Sequence, residues 1–230
     1  MSLPKSKILV SGCGFSWGGQ ERKTWVNVLK SVGINVDDVS GPAVSNQWII
    51  NKAFTQLLTD SSYNHVVIQL TAPGKLDVEV DDIRVEQLVK TDSIRNFVVD
   101  GVWPSSLSSE HESKQQYYKW LYSPRLEIED LYVKLMMLAH WCITKKISLT
   151  ILQAYSLCWT DQQKQELASI VKFMDDPLYN QYKKSDHYKL HDVSNSVPCL
   201  SYQVDLAFQL SEMLSLGCSD KIVKIKQFYN

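Results

Sequence analysis

One stretch near the start of the chain carries residue types that could mount a catalytic group: Gly12-Cys13-Gly14-Phe15-Ser16-Trp17-Gly18. Its last five residues match G-x-S-x-G, the pattern that exposes a serine nucleophile between a strand and a helix. A serine becomes nucleophilic when a neighbouring base accepts its proton. His187 and His191, near the end of the chain, could act as that base. Acyl transfer from an ester to Ser16 is therefore one hypothesis.

The same serine also has a structural interpretation. A hydroxyl at this point of a turn can form a hydrogen bond that ties the turn to the start of the next helix. In the α/β-hydrolases that carry G-x-S-x-G, several strands precede the serine, whereas Ser16 follows the first strand of this chain. The loop with His187, His191 and Asp192 is polar, as a solvated loop would be. Both interpretations of Ser16 stay open at the level of the sequence.

Strand-like and helix-like segments alternate along the chain around this turn. The strand-like segments are residues 8–10, 34–39, 65–70 and 147–154. The helix-like segments are residues 21–30, 46–57, 126–143, 161–174 and 200–214, with N-caps at Ser45 or Asn46 and at Thr160 or Asp161. Such alternation predicts an open α/β sheet with parallel strands, in which ligands bind at the carboxyl ends of the strands.

Three segments depart from this alternation. Residues 76–122 are polar and are predicted to form an insertion or lid over the carboxyl edge of the sheet, with part of 78–89 pairing as an extra hairpin. Residues 175–195 are polar and loop-like. Residues 221–226 are rich in β-branched side chains, which predicts a C-terminal strand or an arm that pairs with another subunit. We expect one α/β domain over residues 1–217 and a strand or arm over 218–230.

The composition is that of an ordinary soluble globular protein. The 230 residues are 44% hydrophobic and 21% charged, with a net charge of -1. The chain can therefore bury a full core, and it lacks the broad basic surface that nucleic-acid binding requires. The five cysteines lack the spacing of a zinc site or a redox pair, so free thiols and no metal or other cofactor are expected. No stretch predicts a signal peptide or a membrane span, which favours synthesis in the cytoplasm and no membrane partner.

The first strand and the turn Gly12-Cys13-Gly14-Phe15-Ser16-Trp17-Gly18 together resemble the first sequence block of the SGNH (GDSL-type) hydrolases. They are more closely similar to the G-C-S-F-T-x-G variant that is common in phage and bacterial genomes. The order of strands and helices fits the family over nearly the whole chain. The resemblance implies a flavodoxin-like, three-layer α/β sandwich, in a family whose members hydrolyse esters of lipids, acetylated sugars and related substrates.

The resemblance also implies where the catalytic groups would stand, and this chain departs from the family pattern. The nucleophile position falls on Gly14, which has no side chain. The two oxyanion-hole positions fall on Gly41 and on Thr71, whose hydroxyl only partly replaces the amide of the family's asparagine. The position of the histidine base falls on Val197, and that of its orienting aspartate near residues 194–195. Without the nucleophile and the base, the family mechanism has no route to acyl transfer.

An aromatic cluster in the insertion offers a candidate surface for a ligand or a partner. Its members, Trp103, Tyr117, Tyr118 and Trp120, could stack on a sugar or a protein, or could form the hydrophobic underside of the insertion. The backbone N–H groups of the opening turn could also hold a small acid or sugar.

The sequence favours an SGNH-like protein that has lost catalysis and acts as a structural or binding protein, for example in a virion. Its partners would be other virion proteins, a second copy or a carbohydrate. The alternative is a divergent serine esterase that uses Ser16 with His187 or His191 as its base.

Overall fold

The centre of the molecule is a five-stranded parallel sheet. The structure is a computed structural model that describes residues 6–17, 23–41, 44–74, 76–78, 98–100, 122–186 and 199–227. The strands of the sheet are β1 (Lys7–Gly12), β2 (Asn35–Asp38), β3 (His65–Leu70), β6 (Ser148–Gln153) and β7 (Lys172–Phe173). Their order across the sheet is β2-β1-β3-β6-β7. This architecture confirms the predicted α/β fold with a central parallel sheet.

Helices cover both faces of this sheet. In the described part of the chain they are α1 (Trp25–Ser31), α2 (Asn46–Thr59), α3 (Pro124–Thr144), α4 (Asp161–Ile170), α5 (Leu178–Lys184), α6 (Leu200–Met213) and α7 (Ser219–Lys226). The chain moves from β1 outward to β2 and then back across β1 to β3, so right-handed crossovers place α1 and α2 on opposite faces. Helix α3 packs between α2 and α4, whereas α6 packs against α1 and α7.

The three central strands are buried at every position after the first. Their apolar side chains join those of the helices in one continuous core, in which Trp25 is the largest fully buried residue. Parallel strands that are covered on both faces need such runs of apolar residues. The run at residues 65–70, predicted as a strand of this kind, is strand β3 with the same bounds.

The register of the strands brings their carboxyl ends to one edge of the sheet. Gly12 at the end of β1 lies beside Gln69 on β3, and Leu70 at the end of β3 lies beside Gln153 at the end of β6. The turn that follows β1 therefore lies next to the loops that follow β3 and β6. This edge is where an open α/β fold places its ligands.

The expected C-terminal strand or arm is wrong for residues 219–226, which form helix α7. Ile222 is fully buried against the rest of the domain, and Lys226 pairs with Asp205 of α6 at 2.7 Å. Asp220 in the first turn and lysines in the last turn suit the helix dipole. These end effects and the burial of Ile222 outweigh the β-propensity of the Ile-Val pair.

Two further boundaries differ from the prediction. The helix expected over 161–174 ends at Ile170, because residues 172–173 pair with Thr150 and Ile151 as the short edge strand β7. The expected loop over 175–195 contains α5, which buries Leu178 and Tyr182, four residues apart on one helix face. The extra hairpin predicted within 78–89 lies, apart from Val78, outside the described residues; a different pair is described, β4 (Leu76–Val78) antiparallel to β5 (Val98–Asp100).

Two predicted helix starts are confirmed by their caps. The Ser45 hydroxyl accepts a hydrogen bond from the Trp48 N–H at 3.0 Å, and Thr160 forms a reciprocal capping box with Gln163. In the described part of the chain, no helix is long and apolar enough to cross a membrane.

Candidate functional site

The turn after β1 is held in shape by its own backbone. The N–H groups of Ser16 and Trp17 both donate to the carbonyl oxygen of Cys13 at 2.9 Å. The Thr24 hydroxyl, at the N-cap of α1, donates to the Ser16 carbonyl oxygen at 2.8 Å. The turn is thereby fixed between the end of the central strand and the start of the first helix.

Gly14, the residue at the family's nucleophile position, faces open space. A Cβ built on it would meet nothing within 4 Å, and its φ lies outside the left-handed region. The backbone therefore accepts a side chain at this point, and the fold does not require a glycine there. A reacting group is missing from a position that has room for one.

Ser16, in contrast to Gly14, points into the protein interior. The residue is fully buried, and its hydroxyl donates to the side-chain oxygen of Gln69 on β3. The Gln69 amide N–H₂ in turn faces the Cys13 sulfur at 3.5 Å. An amide cannot accept a proton as a general base does, so this contact holds the serine without activating it.

Gly12 permits this close arrangement. A Cβ on Gly12 would lie 2.7 Å from Ser16 Oγ and 2.9 Å from Gln69 Cβ, which is closer than carbon atoms normally approach. The hydroxyl, the amide and the glycine therefore form one packed unit behind the turn.

The two other oxyanion-hole positions use their backbone donors within the fold. The Gly41 N–H donates to the Gly12 carbonyl oxygen at 3.0 Å. The Thr71 N–H donates to the side-chain oxygen of Asn46 at 2.8 Å, and the Asn46 amide donates back to the Thr71 carbonyl oxygen at 3.3 Å. Thr71 is fully buried. The Gly41 N–H is thus not available to a developing negative charge on a substrate, and at position 71 a threonine hydroxyl stands in place of the family's asparagine amide.

An aromatic row lies beside the turn and was missed by the sequence prediction. The rings of Phe15 and Tyr155 meet edge to face with centroids 5.6 Å apart, and Tyr155 packs on Tyr179 at 5.4 Å. Burial raises the pKa of Tyr155 to about 12, so its hydroxyl stays protonated at neutral pH. The available signal was the position of Tyr155, which comes two residues after the end of β6 at the carboxyl edge of the sheet.

Two further buried glutamines secure the loops around the site. The side chain of Gln153 accepts a hydrogen bond from the Trp159 indole N–H at 2.7 Å and donates to the Asp175 carbonyl oxygen at 3.0 Å. Gln203 on α6 accepts a hydrogen bond from the Trp25 backbone N–H at 3.0 Å. Amide side chains that bridge loops in this way were not distinguishable in the sequence, because their partners lie far along the chain.

Several predicted site residues lie outside the described part of the chain. They are the candidate bases His187 and His191, the base position Val197 and the aromatic residues Trp103, Tyr117, Tyr118 and Trp120. Two histidines lie within the described part. His65 begins β3, about 13 Å along the strand from Gln69, and burial lowers its pKa. His140 is on the exposed face of α3. Neither is a hydrogen-bond partner of Ser16.

A concavity elsewhere on the surface has a volume of about 410 Å³. It lies between the first turns of α3 and α4, and its lining includes Ile128, the exposed Cys158 and the ion pair of Arg125 with Glu129. All five cysteines are free thiols. Among the described residues, no group of three or more His, Cys, Asp or Glu side chains could hold a metal ion.

Comparison with known proteins finds similarity in solved structures alone. No family model matches the chain, and no curated protein sequence matches it. The psychrotrophic esterase EstA from a Pseudoalteromonas species is 11% identical, with 98% of this chain and 100% of that chain covered and a TM-score of 0.47. A GDSL-like lipase from Bacteroides thetaiotaomicron is 10% identical, with coverage of 93% and 88% and a TM-score of 0.44. At these identities the similarity says nothing about activity, which must be argued from the residues of this chain.

Proposed function

We propose that this chain is an SGNH-like protein without acyl-transfer activity, which serves as a binding or structural protein. The observation that carries the proposal is the burial and hydrogen bonding of Ser16, the one residue with a hydroxyl in the turn from Cys13 to Trp17. Ser16 is fully buried and donates its proton to Gln69, which cannot act as a base. A nucleophile needs both access to the substrate and a partner that takes its proton.

Three further features support the same proposal. Gly14 leaves the nucleophile position without a side chain although there is room for one. The Gly41 N–H is bonded to the Gly12 carbonyl oxygen, and Thr71 has a hydroxyl where the family has an asparagine amide, which it replaces only in part. Electrostatic stabilisation of the oxyanion usually accounts for a large share of the rate enhancement in acyl transfer. The chain therefore lacks the family's nucleophile and also departs from the family at the oxyanion-hole positions.

The space left beside Gly14 suits binding rather than reaction. Its neighbour Phe15 is in ring contact with Tyr155, and Tyr155 with Tyr179. Phe15 is buried in the core, so the half-buried rings of Tyr155 and Tyr179 are the ones that can stack on a sugar ring or on a protein side chain. A carbohydrate or a protein partner is thus the proposed ligand class. A place in a virion, which the form of the first sequence block suggests, stays a prediction, as does a contribution from the insertion over residues 76–122.

The second candidate function is the divergent esterase that uses Ser16. It requires the Ser16 hydroxyl to leave Gln69, to reach the surface and to meet His187 or His191. The G-x-S-x-G pattern between a strand and a helix favours it.

Hydrolysis of short-chain p-nitrophenyl esters separates the two functions. Wild type and Ser16→Ala are compared with buffer, with Ser31→Ala as a control that removes an exposed serine hydroxyl from α1. We expect all three proteins to hydrolyse no faster than buffer containing an inert protein. Hydrolysis by wild type and Ser31→Ala that is lost in Ser16→Ala would overturn the proposal and establish the esterase.

A further inference from the structure

We draw no further inference here: the strongest candidate, the concavity of about 410 Å³ between the first turns of α3 and α4, offers only the lone exposed thiol of Cys158 and two helix N-termini, and nothing in the described part of the chain points to a ligand there.

Discussion

Gly12 and Gly14 stand two residues apart in one turn, yet the surrounding packing constrains them differently. A side chain on Gly12 would collide with Ser16 and Gln69, whereas one on Gly14 would meet nothing within 4 Å. Gly12 is therefore needed so that strand β1 can pass closely beside β3. Gly14 is not needed for packing. Its effect is chemical, because the position that faces the open space carries no reactive side chain.

Gly12→Ala and Gly14→Ala are expected to change stability in opposite directions. Gly12→Ala overpacks the unit behind the turn and should lower the free energy of unfolding by about 1–3 kcal/mol. Gly14→Ala should raise it slightly, by at most about 1 kcal/mol, because it restricts the unfolded chain without a clash. Urea unfolding of both variants measures the difference. Equal destabilisation by the two would contradict the described packing of the turn.

Ser16→Ala is expected to affect stability but not activity. The substitution leaves the side-chain oxygen of Gln69 buried without its hydroxyl donor, which should cost about 1–3 kcal/mol. Ser31→Ala removes an exposed hydroxyl whose one partner is a carbonyl of its own helix, and should change stability by less than about 0.5 kcal/mol. A Ser16→Ala protein as stable as wild type would mean that this hydroxyl does not hold the turn.

At the scale of elements, a charged cluster joins the amino edge of the sheet. Lys7 at the start of β1 contacts Asp37 of β2 at 2.9 Å and Asp60 after α2 at 2.6 Å, and the Tyr63 hydroxyl donates to Asp37 at 2.6 Å. Hydrogen bonds to Asp60 and Asp37 raise the pKa of Lys7. The Tyr63 hydroxyl lowers the pKa of Asp37, and Lys7 lowers the pKa of Asp60.

This cluster predicts a loss of stability in acid. An aspartate in the unfolded chain has a pKa of about 3.9, and the pKa values of Asp37 and Asp60 in the folded protein lie below it. Between the folded and the unfolded pKa values, the unfolded chain therefore binds more protons than the folded protein does. The stabilisation is complete above about pH 5 and is lost as the pH falls below about 4. Wild type should therefore lose more stability between about pH 7 and pH 3 than Asp60→Asn does.

Urea unfolding at the two pH values makes that comparison. The His65 imidazole, whose pKa burial lowers, affects both proteins alike and cancels in the difference. Asp176→Asn, at an exposed pair with Lys184 whose atoms are 3.7 Å apart, is the matched control and should follow wild type. An equal acid response in wild type and Asp60→Asn would contradict the role of the cluster.

The C-terminal helix α7 is expected to be part of the fold. Ile222→Ala empties a fully buried position and should cost about 2–5 kcal/mol. Val223→Ala, at the neighbouring residue that is 40% exposed, should cost less than about 0.5 kcal/mol. Thermal or urea unfolding of the two variants distinguishes a packed helix from a free arm. If residues 219–226 were a free arm, both substitutions would have equally small effects.

At the scale of the whole molecule, long periodic segments were predictable and contacts between distant segments were not. Strand β3 and the caps Ser45 and Thr160 follow from local patterns. The pairing of Ser16 with Gln69 joins residues 53 positions apart. Helix α7 was mistaken for a strand because its burial depends on α6, which no local pattern reveals. Strand β7, two residues long, is too short for periodicity to detect.

At the site, too, local features were predictable from the sequence and contacts between distant segments were not. The sequence located the turn and the substitution at Gly14, because a missing side chain needs no structure to be recognised. It left open whether Ser16 faces solvent or the core, since a hydroxyl in a turn fits both. It did not reveal that Gly41 and Thr71 bond to Gly12 and Asn46, because those contacts arise where separate loops meet at the sheet edge.

Our central proposal is that the turn after β1 lacks the groups that acyl transfer requires. Labelling with a fluorophosphonate, read out by intact mass, tests this most directly, because the probe needs only a reactive serine and its base. Wild type, Ser16→Ala and Gly14→Ser are treated alongside an active serine esterase, which confirms that the probe reacts. We expect no adduct on any of the three. An adduct on wild type that Ser16→Ala abolishes, or an adduct gained by Gly14→Ser, would contradict it.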